Sequence, residues 1–314
     1  MKTLNKNSKI YVAGHTGLVG SAIVRLLIKE GYKKIITCSS KKLDLRNQDN
    51  TYKFIQREKP DGVIVAAAKV GGIKANNKFK ADFIYDNLAI QNNLIHGSKI
   101  NGIKNLIFLG SSCVYPRNSK QPIKENFLLT GKLEKTNEPY AVAKIAGIKL
   151  CESYNFQYGL NYKCLMPSNT YGPNDNYDSF SSHFYSSILK KIFYANLYKK
   201  YKIDLWGDGT PKRELIYVDD LASACVFFLK KKTKEYLINI GTGVDRSIKN
   251  YAIFAKTLIN NKILIRFNND KSFNGTPRKL LDTSIAKKYK WKPKISLKQG
   301  TILTYRDLVK QMKY

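Results

Sequence analysis

The fold is decided by the stretch "VAGHTGLVG", residues 12–20. A short apolar strand at 10–13 runs into Gly14, Gly17 and Gly20, and helical periodicity follows over 21–30. The spacing is GxxGxxG rather than GxGxxG. Glycines placed there allow a tight turn and let a pyrophosphate approach the amides at a helix N-terminus. A purely structural turn can look similar, but the position between the first strand and first helix points to dinucleotide binding. The candidate contacts are Gly14, His15, Thr16, Gly17, Leu18, Val19 and Gly20.

Outward from this turn, "KKIITCSS" (33–40) reads as a second strand, "DGVIVAAAKVGG" (61–72) as a buried strand, and residues 83–100 as a helix. "NLIFLGSSCVYP" (105–116) reads as another buried strand ending in a loop. "EPYAVAKIAGIKLCESY" (138–154) reads as a long helix with Pro139 in its first turn, where proline is tolerated. "YKCLMPSNTYGP" (162–173) reads as one further strand with a Pro/Gly exit. Apolar strands with little alternation, each followed by a helix, specify a parallel sheet covered on both faces. The fold class is therefore α/β, a Rossmann-type doubly wound parallel sheet with ligands at the carboxyl ends of its strands. Beyond Asn174 the pattern changes to short strands and a Lys-rich C-terminal part. We expect a dinucleotide-binding domain over 1–173, with sheet elements near 214–241 returning to it. A smaller substrate-binding lobe is expected from 174–213 and 242–314.

The 314 residues, 43% of them hydrophobic, suffice for a full core. No apolar run approaches the roughly 20 residues that cross a bilayer. The start moves from a short basic tail into a strand without a signal-peptide pattern, so a cytoplasmic protein is expected. Cys38, Cys113, Cys151, Cys164 and Cys225 make no CxxC pair and have no histidine cluster beside them, which points to no metal site and no disulfide framework. Lys and Arg number 55 against 23 Asp and Glu, a net charge of +32. The excess is mostly lysine, scattered along the chain. It reads as compositional drift aided by an anionic substrate, with no specific nucleic-acid partner, although weak polyanion binding at low salt follows from the charge.

At the tip of the second strand, an acid would bind a ribose 2′-hydroxyl and a base would accommodate a 2′-phosphate. "CSSKKLDL" (38–45) has no acid at the tip and places Lys41 and Lys42 just beyond it, which favours NADP(H). Asp44 falls later, near an adenine or as a turn cap. "PYAVAK" puts Tyr140 and Lys144 four residues apart on one helix face. An ammonium near a phenol stabilises the phenolate by Coulomb attraction, so such a pair can move a proton at neutral pH. A solvated helix face would also explain the pair taken alone.

With Ser111 at a neighbouring strand end, these features resemble the extended short-chain dehydrogenase/reductases that act on nucleotide sugars, and "WGDGTPKRELIYVDD" (206–220) supports that branch. "AAAKVGGIKANN", "ADFIYDN", "LGSSCVYP", "NEPYAVAKIAGIKLCESYN", "NTYGPNDN" and "NGTPRKLLD" narrow the resemblance to the GDP-L-fucose synthase family, over about residues 10–291. That family's enzymes are 3,5-epimerases and 4-reductases of GDP-4-keto-6-deoxy-mannose. The resemblance implies that Ser111 hydrogen-bonds the C4 oxygen. Tyr140 would donate a proton in reduction, and Lys144 would lower its pKa and hold the nicotinamide ribose. Cys113, on the same side of an extended segment as Ser111, would remove protons at C3 and C5, and His183 would return them from the opposite face. Leu109, Gly110, Ser112 and His183 would add cofactor contacts, and Pro167, Ser168, Asn169 and Thr170 would border the nicotinamide. Lys191, Trp206, Arg213 and Asn274 would bind the nucleotide sugar. A homodimer paired through the Tyr140 helix is also implied. The chain departs from the family pattern at Thr16 and Ser40, where arginines are expected, at Lys191 in place of an arginine, and at Asn274 in place of an aspartate. Related sugars, such as GDP-colitose or a GDP-6-deoxy-heptose, and C4 reduction alone are the alternative chemistries.

Overall fold

The computed structural model describes residues 4–312; Met1 to Thr3 of the basic N-terminal stretch lie outside them. The first half alternates strand and helix: β1 (Lys9–Ala13), α1 (Leu18–Lys29), β2 (Lys34–Ile36), α2 (Gln48–Glu58), β3 (Gly62–Val65), α3 (Ile73–Lys78), α4 (Lys80–Ile100), β4 (Asn105–Leu109), α5 (Glu138–Tyr158) and β5 (Asn161–Pro167). There follow β6 (Asn169–Tyr171), α6 (Phe184–Leu197), β7 (Lys202–Leu205), β8 (Lys212–Tyr217), α7 (Val218–Lys230), β9 (Leu237–Ile240), β10 (Asp245–Ser247), α8 (Ile248–Ile259), β11 (Leu264–Phe267), β12 (Arg278–Lys279), α9 (Ser284–Lys288) and α10 (Leu297–Met312).

The main sheet has the order β2-β1-β3-β4-β5-β9, with every pair parallel. Its central strands are mostly apolar because both faces are buried. Ile10, Val12, Ile64, Ile107, Leu109 and Leu165 face the core shared with α1 and α7. Their alternating neighbours Tyr11, Ala13, Val63, Val65, Leu106, Phe108, Cys164 and Met166 face the core shared with α2, α4 and α5. The order reverses at β1, so a crevice opens at the carboxyl ends of β1 and β3.

A second sheet gathers around β8, which pairs with β10, β12 and β6; β7 and β11 form a parallel pair. A third core rich in tyrosine lies here. The sequence stretch read as one strand over 162–173 is two strands. The chain breaks at Ser168, so that β5 stays in the main sheet between β4 and β9 while β6 pairs with β8. This break carries the second sheet to the mouth of the crevice. Other boundaries also move: α1 begins at Leu18, β2 ends at Ile36, β3 ends at Val65 so that 66–72 is loop, α4 begins three residues before the predicted start, and α5 runs on to Tyr158. Among the described residues no helix is long and apolar enough to cross a membrane.

Candidate active site

A cavity of about 1010 Å³ runs from the glycine turn, across the ends of β4 and β5, to the second sheet. It is lined by every sequence-predicted site residue from Gly14 to Asn274 except Lys42.

At one end, the three glycines do different jobs. Gly14 has φ +84°, and a Cβ there would lie 2.6 Å from the Ala67 amide nitrogen, so β1 and the chain after β3 cross with no room for a side chain. A Cβ on Gly20 would lie 2.0 Å from the Gly14 carbonyl oxygen, which packs α1 directly on the turn. Gly17 is the N-cap of α1 and makes no side-chain cap bond, leaving the first amides of the helix open to an anion. His15 Nδ1 is buried without a hydrogen-bond partner. Open helix amides, close backbone crossing and an orphaned ring nitrogen fit a nicotinamide dinucleotide.

Beyond the β2 tip, Lys41 lines the cavity and Lys42 does not; Arg46, which the sequence reading passed over, does. Asp44 caps a turn by accepting the Arg46 amide at 3.0 Å, and both its oxygens hold the Arg46 guanidinium, which also reaches Asp86 at 3.2 Å. The Arg46 guanidinium holds the Asp44 carboxyl below the usual carboxylate range. The "LDLR" spacing was the available signal for this pair.

In the middle, β4 delivers Ser111. The expected extended segment is instead a 3-10 turn over Ser112–Val114, and this turn, not a strand's alternation, brings Cys113 back beside Ser111. Ser111 Oγ and Cys113 Sγ lie 2.7 Å apart, and Ser111 Oγ also accepts the Cys113 amide at 3.4 Å. Helix α5 carries Tyr140 and Lys144 against this turn. The expected direct effect of Lys144 on Tyr140 is not what the geometry shows. The Lys144 ammonium donates to the Leu109 carbonyl at 2.9 Å and stands 5.8 Å from the Tyr140 ring centre. Burial pushes the Tyr140 phenol upward, with the Cys113 charge adding and a Ser111 hydrogen bond opposing. Burial also pushes Lys144 down to about 8, against the pull of negative charge at Cys113 and Cys164.

His183 is the N-cap of α6 and lines the cavity from a different element. Its segment is fixed from two sides. The Gly72 amide donates to the Ser181 carbonyl at 2.8 Å, and a Cβ on Gly72 would lie 2.6 Å from the Ser182 oxygen. The "VGG" loop is therefore the seat of the His183 segment. On the other side, buried Asp175 accepts the Asn176 amide at 2.7 Å and the Ser186 hydroxyl in the first turn of α6, and it lies within the Coulomb field of His183. Burial raises the Asp175 carboxyl, and the His183 charge opposes this.

At the far end, Arg213 is buried with its guanidinium donating to the carbonyls of Lys212 (2.8 Å) and Asn274 (3.0 Å), and burial pushes it down to about 10. Asn274 Oδ1 accepts the Asp208 amide at 3.3 Å. Lys191 donates to the Asp204 carbonyl at 2.5 Å. Trp206 is 41% exposed and has the Lys74 ammonium 3.6 Å from its ring centre. Lys74, buried Glu134 and Lys279 also line this end and were not anticipated. Arg117 pairs with Glu134 at 3.3 Å, and strand register sets Lys279 opposite Arg213.

A dinucleotide turn that meets a Ser–Tyr–Lys set at the switch point of a doubly wound sheet defines a nicotinamide-dependent oxidoreductase of the extended short-chain type. The model of the family described as "NAD dependent epimerase/dehydratase family" matches residues 10–241. The putative GDP-L-fucose synthase 2 of Arabidopsis thaliana is 47% identical over 302 residues, 96% of this chain and 92% of its own. The GDP-L-fucose synthase of Escherichia coli is 43% identical over 307 residues, 95% of each chain. The solved GDP-mannoheptose C4 reductase of Campylobacter jejuni with NADP bound is 38% identical, has a TM-score of 0.89, and is matched over 98% of this chain and 99% of its own. The chain belongs to the NAD dependent epimerase/dehydratase family and, within it, to the group of the GDP-L-fucose synthases.

Proposed function

We propose that the chain converts GDP-4-keto-6-deoxy-D-mannose to GDP-L-fucose, epimerising C3 and C5 and then reducing C4, with NADPH as its cofactor. The observation that carries the reading is the pairing of Ser111 with Cys113 at 2.7 Å on one wall while His183 enters the same cavity from another element. A C4 ketone acidifies the hydrogens on both neighbouring carbons, so a modest base can form an enolate. A thiol lies nearer neutrality than a hydroxyl and suits that task. Cys113 takes the proton from C3, the C–H electrons pass to the C4 oxygen, and Ser111 donates a hydrogen bond there. His183 returns a proton to the opposite face of C3 and the ketone re-forms; Cys113 then gives its proton to solvent, His183 takes one from solvent, and the same exchange follows at C5. Bound NADPH supplies the hydride that C4 requires. Tyr140 gives the C4 oxygen its proton, and Lys144, anchored on Leu109, fixes the helix that carries Tyr140 and meets the ribose.

On this reading the cofactor meets the main sheet, to which only α7 and β9 of the expected 214–241 return because β8 belongs with β6 to the second sheet, and the nucleotide sugar meets the lobe built on that second sheet. Lys41 and Arg46 line the cavity beyond the β2 tip, where a 2′-phosphate would be received, which supports NADPH. Exposed Val142 and Phe156 on α5 and Tyr85 on α4 offer the apolar surface that a homodimer would cover. The test is incubation with the keto sugar and NADPH in deuterated water. Oxidation of NADPH with deuterium at C3 and C5 of a fuco-configured product is expected; no oxidation would sink the proposal. A second reading, C4 reduction of a GDP-heptose, is favoured by the 38% identity to the Campylobacter jejuni reductase. It would show as oxidation without deuterium incorporation.

A further inference from the structure

The end of the cavity around Trp206 joins a distant stretch, that of Lys74, to two neighbouring ones. Lys74 comes from α3, just after the paired glycines; Lys191 comes from α6; Trp206 follows β7. All three line the cavity. The Lys74 ammonium lies 3.6 Å from the centre of the indole ring and the Lys191 ammonium 5.2 Å from it. Lys74 is half-buried, and Lys191 is held in place by the Asp204 carbonyl at 2.5 Å. Two ammonium groups on one ring repel each other; burial pushes the Lys191 ammonium down, and the Lys74 charge adds to it. Like charges converge in this way where a dianion is to be received, because a bound anion turns their repulsion into shared attraction.

The position of Lys191 sharpens the point. An arginine there would offer a planar fork able to take a phosphate with two bonds; a lysine is a single point charge. A nucleoside diphosphate sugar carries one negative charge on each of its two phosphates. One lysine cannot match both phosphates; Arg213 and Lys279 also line this end, but Arg213 is engaged by the Lys212 and Asn274 carbonyls, and Lys74 is the cation that shares the Trp206 ring with Lys191.

We propose that Lys74 and Lys191 form a two-lysine clamp on the diphosphate of the nucleotide sugar, with Lys74 the residue that sets selectivity for a diphosphate over a monophosphate. This rests on the reading that the substrate is a nucleoside diphosphate sugar. Trp206 serves as the platform on which the Lys74 ammonium waits, stabilised by the ring quadrupole until the phosphates draw it across.

The experiment is calorimetric titration of the full chain with GDP, GMP, UDP and NADPH, for the wild type, Lys74→Met and Lys74→Arg. Methionine keeps the apolar stem against Trp206 and removes only the charge. Lys74→Met is expected to weaken GDP about tenfold and GMP less than about threefold, to leave NADPH unchanged, and to lose much of the salt dependence of GDP binding, while Lys74→Arg retains GDP. Unchanged GDP affinity in Lys74→Met would overturn the clamp, as would equal losses for GDP and GMP. Loss of NADPH binding as well would mean that Lys74 only supports the fold, and would overturn it too. A wild type that binds UDP as tightly as GDP would overturn the guanine nucleotide as substrate and keep the clamp. A wild type that binds none of the diphosphates would overturn both.

Discussion

At the glycine-turn end of the cavity the wall is backbone, set by one parallel sheet; at the Trp206 end it is charged side chains, one of them, Lys74, more than a hundred residues from the others. Gly14 and Gly20 leave no space for a single carbon, whereas Lys74, Lys191 and Arg213 reach their places through long flexible stems. A ligand common to many enzymes can be held by a rigid turn. A substrate that differs between relatives is better met by side chains that change without disturbing the sheet.

The largest effect should come where the two ends meet. Cys113→Ala is expected to lower deuterium exchange at C3 and C5 by about 10²–10⁴-fold while NADPH still binds. Tyr140→Phe should stop hydride transfer and leave exchange in place. Mass spectrometry of the recovered keto sugar separates the two steps; equal loss of both in each variant would show that the labour is not divided as proposed.

The next pair tests the ends against each other. In Gly20→Ala the new carbon meets the Gly14 carbonyl at 2.0 Å and forces the turn open. Strain of about 1–3 kcal/mol is expected, so NADPH affinity should fall roughly ten- to a hundredfold. Trp206→Phe should leave NADPH binding alone and raise the KM for the nucleotide sugar only about two- to tenfold, in line with an aromatic or cation–π contribution of about 0.5–1.5 kcal/mol. Should Gly20→Ala bind NADPH as the wild type does, the rigid-turn half of the comparison fails.

A smaller effect is read in the pH profile. Lys144 is pushed down to about 8, so its ammonium is intact below that pH and is lost above it. Burial raises the Tyr140 phenol, which keeps it a proton donor throughout this range. The kcat/KM for reduction is therefore expected to fall above pH of about 8, with Lys144 rather than Tyr140 setting the limb. A limb unmoved in Lys144→Arg, whose side chain stays charged, would contradict this assignment.

What was legible in the sequence follows the same division. The glycine turn, Tyr140 with Lys144, and Ser111 depend on spacing within one turn of chain, and the doubly wound sheet depends on apolar runs; both are local signals. The 3-10 turn that returns Cys113 to Ser111 was not legible, because a Gly-Ser-Ser-Cys stretch after a strand is compatible with either an extended loop or a turn. The break at Ser168 was hidden for a related reason: β6 is held by β8, more than forty residues later. Arg46 was masked by Asp44, which suggested a turn cap and is one, yet also holds the guanidinium. Lys74 lay inside a quoted motif, but its meeting with Trp206 depends on tertiary packing alone.

Two buried lysines give the mildest and most general test. Lys144 sits at the open, carboxyl end of the sheet, where its charge has a task. Lys163 sits on β5 toward the closed end, 2% exposed, with its ammonium donating to Asn161 Oδ1 at 2.7 Å, and burial pushes it down to about 7. Between about 7 and the ordinary lysine value near 10.4, the unfolded chain holds a proton that the folded chain sheds. Stability should therefore rise with pH across this window, and the burial penalty is fully present below about 7. Lys163→Met removes the penalty and keeps the apolar volume. It leaves Asn161 Oδ1 without this donor, which costs about 1 kcal/mol, while the Asn161 amide keeps its bond to Asn105. The net gain should raise Tm at pH 6 by roughly 2–4 °C per kcal/mol recovered and fade toward pH 10, measured by scanning calorimetry. A variant less stable than the wild type at pH 6 would mean that Lys163 is a held charge like Lys144, and that the closed end of the sheet is polar by design.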